Sequence, residues 1–356
     1  MTFVAVHRKV LLRALRGVCW TLLAALAALA AAARAATGLA EIHGPHGQEL
    51  VAVFYPTKAE GPAVQRWQFS LPLVEQAPPV RGNGRLVVIS HGSPSNPWTN
   101  TDLAIALTRA GFIVAAPWHL RDNSSDSADA GPVSWKRRPQ EVSAAIDAVL
   151  ADPRFAPLLA ADRIGAYGMS AGGLTMLTLA GGRWSPSVLR AHCLAHLGED
   201  FVTCVGPATT SLNGDSLDRI KLSLARWVIG WKLDDPTFYG HTDARIAAVV
   251  AGVPHAAAFD LATLARPRVP LGLITARKDV WLVPRFHGLA VIQACAGCEW
   301  LADLAQAGHG ALLSPLPRRE GRIAELVNDP AGFDRATEVP VMNARVVDFF
   351  KRHLLP

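Results

Sequence analysis

The pentapeptide Gly168-Met169-Ser170-Ala171-Gly172 constrains this chain more than any other stretch, because of what flanks it. Residues 164–167 read as a short buried strand, and residues 171–180 have the small, apolar make-up of a packed helix. A serine between strand and helix, with glycine two positions away on each side, can be held in a strained turn with its hydroxyl exposed. Side chains at the glycine positions would collide with the backbone. The helix N-terminus beneath such a serine also favours developing negative charge. A plain helix cap in a glycine-rich turn would use the same residue, but strand and helix together favour a nucleophile.

Around this turn, Val-rich and Ile-rich apolar runs alternate with stretches of helical period, the pattern of a mostly parallel sheet covered by helices. Strands are expected at 50–55, 86–90, 112–116, 164–167, 246–251, 271–275 and 300–304. Helices are expected at 101–110, behind Thr99 and Asn100 as caps, and at 139–150, 171–180 and 341–353. Residues 61–84 form a Pro-rich and Gly-rich connection without clear periodicity. The alternation breaks down over 181–243, which holds two cysteines and an amphipathic stretch at 217–233 and reads as an inserted cap or lid.

Residues 1–35 have a different character. Arg8, Lys9, Arg13 and Arg16 precede a run of mostly Ala and Leu from 18 to 33, and Ala33-Arg34-Ala35 places small residues where a signal peptidase reads them. A cleaved export signal is expected, with a periplasmic or secreted mature chain of 36–356. An uncleaved membrane anchor is the alternative, for which the run is short. Loss of 1–35 removes five basic residues and no acidic one, so the formal charge falls from +6 to +1, and the basic balance says nothing about nucleic acid. Four cysteines remain, Cys193, Cys204, Cys295 and Cys298, and an even count in an exported chain favours disulfides. Of three possible connectivities, the local one is expected: Cys193 with Cys204, and Cys295 with Cys298.

A serine hydroxyl needs a base, which in a strand-turn-helix nucleophile fold comes last in chain order. Three histidines follow Asp279: His287, too close to it and expected on the next helix; His353, on the terminal helix; and His309, in Ala307-Gly308-His309-Gly310 after the final strand. His309 is the candidate base. Asp279, four residues past the strand at 271–275, is placed to orient the imidazole, better than Asp303 within a strand or Asp260 at a helix start. An oxyanion needs two backbone N–H donors. Ala171 follows the nucleophile, and the second falls in His91-Gly92-Ser93, with Ser93 preferred over Gly92 because Pro94 has no N–H. Trp98, Trp118 and Trp281 lie in loops after strands and could wall an apolar pocket, or equally be core. His192, Cys193, His196 and Cys204 are metal-ligand types at helical spacing, but the disulfide reading is favoured, and neither metal nor cofactor is expected.

With the elbow, Val51-Ala52-Val53-Phe54-Tyr55-Pro56-Thr57, Val87-Val88-Ile89-Ser90-His91-Gly92, Gly111-Phe112-Ile113-Val114-Ala115-Ala116-Pro117, Asp162-Arg163-Ile164-Gly165 and Ala307-Gly308-His309, the chain resembles the α/β-hydrolases known as predicted dienelactone hydrolases, over 48–351. That group is akin to platelet-activating-factor acetylhydrolases and bacterial polyester-cleaving cutinases. The resemblance implies an α/β-hydrolase fold and a carboxylic-ester hydrolase acting on a small-molecule ester, lipid-like ones included, with no nucleic-acid partner and no stable membrane association unless the leader stays attached. The chain departs from that group in three places. Dienelactone hydrolases proper carry cysteine where this chain has Ser170, Ala276 stands where relatives often have glycine, and 181–243 is unusual. A serine peptidase and an inactive binding protein on the same scaffold are the alternatives. No separate propeller-like domain accompanies the first, and the second is opposed by intact candidates for every role.

Overall fold

The computed structural model describes residues 36–44, 50–206 and 212–356. The expected export signal at 1–35 lies outside the described residues.

The chain opens with two antiparallel strands, β1 (Ala36–His43) and β2 (Leu50–Thr57), followed by three short strands, β3 (Val64–Arg66), β4 (Phe69–Leu71) and β5 (Val74–Glu75). The alternating part then runs β6 (Leu86–Ser90), α1 (Thr101–Arg109), β7 (Ile113–Pro117), α2 (Pro132–Ala151), β8 (Ile164–Met169) and α3 (Ala171–Leu179). An inserted segment carries β9 (Arg183–Trp184), α4 (Pro186–His196), α5 (Phe201–Val205) and α6 (Asp218–Lys232). The chain closes with β10 (Ile246–Gly252), β11 (Phe259–Asp260), β12 (Leu271–Ala276), α7 (Gly288–Ala294), β13 (Glu299–Leu304), α8 (Gly321–Val327) and α9 (Arg335–Leu354).

Nine strands form one sheet in the order β13-β12-β10-β8-β6-β7-β2-β1-β5. From β13 to β7 every pairing is parallel, which places the C-terminal ends of β6, β8, β10, β12 and β13 along one edge. These strands are apolar almost throughout because both faces are covered. Side chains of α2 and α3 join the core on one face, and those of α1 and α9 the core on the other. Among the described residues no helix is long and apolar enough to cross a membrane.

Several local expectations are corrected. The connection at 61–84 contains β3, β4 and β5, each too short to show a period, and β5 extends the sheet by pairing Gly38 with Val74. Strand β1 is an addition to the strands expected from the sequence. Helix α2 starts at Pro132 and carries Pro139 inside it, and α9 starts at Arg335 with Pro340 in its second turn, so neither proline marks a boundary. Asn100 occupies the N-cap position of α1, as expected, but neither its side chain nor that of Thr99 makes a capping bond there. Both residues belong to a short 3₁₀ turn, Pro97–Asn100, and the Asn100 amide reaches the carbonyl of Leu312 instead.

Candidate active site

The register of β8 sets the site. Gly168 pairs with Ser90 of β6 and Met169 with Gly252 of β10, so Ser170 emerges at the centre of the sheet's C-terminal edge. A Cβ at Gly168 would lie 2.2 Å from the carbonyl oxygen of Gly172, and one at Gly172 would lie 2.0 Å from that of Ser90. Neither position admits a side chain, because the helix leaves the strand in too tight a turn. Ser170 itself has φ 57° and ψ −118°, pinned by its N–H to Gly252 and by its carbonyl accepting from the N–H of His255.

The loops after β12 and β13 bring Asp279 and His309 to this serine. His309 Nε2 lies 3.0 Å from Ser170 Oγ, and His309 Nδ1 lies 2.7 Å from Asp279 Oδ2. All three residues are buried. The other Asp279 oxygen accepts from the N–H groups of Trp281 and Leu282 at 2.9 and 2.8 Å, which fixes the carboxylate's orientation. The loop beyond His309 is fastened by Arg335, which donates to the carbonyls of Gly310, Ala311 and Leu313 and pairs with Asp329. The rival residues are occupied elsewhere. His287 is held by Asp200 and by the amides of Ala256 and Ala257, and Asp303 pairs with Arg277.

A cavity of about 120 Å³ opens over Ser170 and His309. Gly92, Ser93, Trp281 and the apolar Met169, Leu313, Ile323 and Val327 line it, together with the guanidinium of Arg319. Burial pulls the Arg319 guanidinium below its usual value. The Trp281 ring sits 4.8 Å from that of His309. Trp98 and Trp118 are not in this cavity, which corrects the pocket expectation for both. The 3₁₀ turn tucks Trp98 into the core between Phe54 and Trp118, with ring centroids at 6.2 and 6.4 Å. Helix α8, which supplies Ile323 and Val327, went unrecognised in the sequence.

The loop at His91-Gly92-Ser93 rests on a buried polar network that the sequence reading also missed. Arg138 of α2 is fully buried, pairs with Asp122 at 2.9 Å and donates to the carbonyls of His91 and Gly92. His91 Nδ1–H donates to the same Gly92 carbonyl at 2.7 Å. With that carbonyl turned inward, a trans peptide points the Ser93 N–H the opposite way. Among the described residues neither the Ser93 nor the Ala171 N–H donates to a protein acceptor. The Ser93 hydroxyl donates to Asp122, closing the network. Burial, helped by His119 and Arg138, holds the His91 imidazole well below its usual value, so it stays neutral. Burial also pushes the Asp122 carboxyl up, but Arg138 and the Ser134 and Ser93 hydroxyls outweigh it and keep Asp122 ionised. Such a network is costly to bury unless fully satisfied, and this one holds a single peptide plane in place.

The inserted segment abuts the site. Disulfides join Cys193 to Cys204, linking α4 to α5, and Cys295 to Cys298. The first takes both thiols out of any metal set with His192 and His196. Asp200 accepts from His192 Nε2 and His287 Nε2 at 2.8 and 3.0 Å, and Thr203 donates to Asp200 and to the carbonyl of Trp281. The insertion therefore grips the loop that carries Asp279 and Trp281.

No protein-family model matches the chain, and no curated protein matches it. Among solved structures it is similar to a ferulic acid esterase from Streptomyces cinnamoneus, at 17% identity, with 90% of this chain and 89% of that chain covered and a TM-score of 0.57. That likeness agrees with the parallel sheet, the helices on both faces and the elbow at the sheet's centre: the chain has the α/β-hydrolase fold.

Proposed function

We propose that this chain is a serine hydrolase that cleaves a carboxylic ester through an acyl-Ser170 intermediate, in the manner of the dienelactone hydrolase-like and platelet-activating-factor acetylhydrolase-like group. The observation that carries the reading is the Ser170–His309–Asp279 chain of hydrogen bonds at 3.0 and 2.7 Å beside two unengaged backbone N–H groups. His309 takes the Ser170 proton as the oxygen attacks the ester carbon, and Asp279 stabilises the imidazolium. The Ala171 and Ser93 N–H groups receive the oxyanion. His309 then returns the proton to the leaving alcohol, and water repeats the cycle to release the acid.

The ester class is supported by the apolar cavity, with Trp281 against the base, and by the name of the ferulic acid esterase whose fold is similar. Residues 36–356 act as one catalytic domain with a cap at 181–243. Residues 1–35 are an export signal, a reading supported by two disulfides that suit an oxidising compartment. The test is turnover of p-nitrophenyl esters of increasing acyl length by the parent and by Ser170→Ala. Serine-dependent cleavage is expected, with a kcat loss of at least about 10⁴-fold in the variant. Equal rates in the two proteins would overturn the proposal.

A further inference from the structure

We infer that helix α6 is a docking element for an anionic phospholipid surface, lying flat on it rather than crossing it. Leu217, just before the helix, and Ile220, Leu224, Trp227 and Trp231 on it are 57, 65, 59, 70 and 68 % exposed. They recur at spacings of three, four, three and four residues, so at 3.6 residues per turn they share an arc of about 80°. Single exposed apolar residues are ordinary, but five in one stripe, two of them tryptophan, mark a contact surface. The opposite side of the helix is already used: Ile229 is buried, and Leu222 and Ala225 pack on the core.

Charge selects the occupant. On the helical wheel Lys221 and Lys232 lie about 40 and 60° beyond one edge of the stripe, and the exposed Arg219 and Arg226 about 80 and 100° beyond the other. The helix's one acid, Asp218, lies on the packed side and binds Lys221 and the amides of Asn213 and Gly214. Arg219, Arg226 and Lys232 have no carboxylate partner among the described residues. An indole-rich stripe between two rows of cations fits the boundary between acyl chains and phosphates, where tryptophan settles and long basic side chains reach the headgroups. A second copy of the chain fits poorly, because two-fold pairing would set these cations against one another.

A second feature agrees. Beside the stripe lies a cavity of about 460 Å³ lined by Phe201, Leu224, Val228 and Leu233, with Lys221 and Lys232. Apolar room next to the Lys232 ammonium is the chemistry an acyl chain and its phosphate require. Helix α5, which lines this cavity through Phe201, also holds the loop of the candidate active site, because Thr203 donates to the Trp281 carbonyl. The inference itself does not depend on the ester-cleaving reading.

The test is co-sedimentation with vesicles of equal parts phosphatidylglycerol and phosphatidylcholine, and with vesicles of phosphatidylcholine alone. It uses the full chain and the chain from Ala36 onward, which holds every described element, so that residues 1–35 cannot account for binding. The shorter chain should bind the anionic vesicles at least about tenfold more tightly than the neutral ones, since each cation near the surface contributes about fivefold. Trp227→Ala with Trp231→Ala should cut that binding about tenfold or more, as should Arg219→Glu with Arg226→Glu, with melting temperatures unchanged. Absence of binding by the parent, or binding indifferent to either pair of substitutions, overturns the inference. So does a concentration-dependent dimer that the tryptophan substitutions dissolve in the absence of vesicle binding.

Discussion

Ser170 occupies a left-handed backbone conformation that costs a non-glycine residue of the order of 1–3 kcal/mol. Its neighbours hold it there, and the strain aims the hydroxyl at His309. That Ser170, His309 and Asp279 meet was legible in the sequence, because each follows a recognisable strand and the parallel sheet sends all such loops to one edge. The supports of the oxyanion loop were not legible. Arg138 sits in an amphipathic helix where an arginine ordinarily faces water, and only the fold buries it against two carbonyls. Arg138→Lys keeps the charge but cannot reproduce the planar fork. With the Gly92–Ser93 peptide released, kcat toward a good p-nitrophenyl ester should fall about 10²-fold while KM shifts by less than about threefold. Equal kcat in the two proteins would show that the peptide plane holds without the clamp.

Elements were legible in proportion to their length and periodicity. The core strands β6, β7, β8, β10 and β12 stood out as apolar runs, whereas β3, β4 and β5, at two or three residues each, carried no period to detect. The helices of the insertion were visible as a break in the alternation, but not how they attach. Asp200 is the point of attachment: burial pushes its carboxyl up, yet hydrogen bonds from His192, His287 and Thr203 outweigh this and hold it ionised far below the usual carboxylate range. Asp200→Asn should therefore loosen the loop carrying Asp279 and Trp281. It should cut kcat/KM about tenfold and lower the melting temperature, since a buried hydrogen-bonded charge is costly to remove. Glu199→Gln, which breaks the exposed pair with Arg285 one residue away, should leave both nearly unchanged. If the two variants behave alike, the insertion does not support the site through Asp200.

For the molecule as a whole, the fold was the most legible property, because the order of strands and helices admits few right-handed windings. Stability against pH was not, since it depends on which histidines the fold buries. His91, His119 and His255 are held well below the usual imidazole value, in each case chiefly by burial. A lowered folded-state value means that the unfolded chain binds more protons below about pH 6.5, so their contribution is complete above that pH and is lost as pH falls through it. Asp122 and Asp200 are likewise lowered, but against a carboxylate reference near 3.9, so they lose their contribution only in stronger acid. Each fully shifted histidine contributes up to about 1.4 kcal/mol per pH unit. The melting temperature should drop by about 5 °C or more between pH 7.5 and 5.0, offset in part by Glu141, whose carboxyl burial raises. A flat profile over that range would mean that these rings take up protons in the folded chain as readily as in the unfolded one.

The fastening of the His309 loop by Arg335 ties the candidate base to the final helix, whose Phe350 also packs beneath Gly165 of the central strand. Among the described elements α9 is the one made last, after the elbow and the His309 loop. Until α9 docks, the loop beyond His309 lacks the Arg335 bonds that fasten it. On the proposed mechanism, a chain whose α9 has not docked should not cleave esters, and the ability to react arrives with that helix.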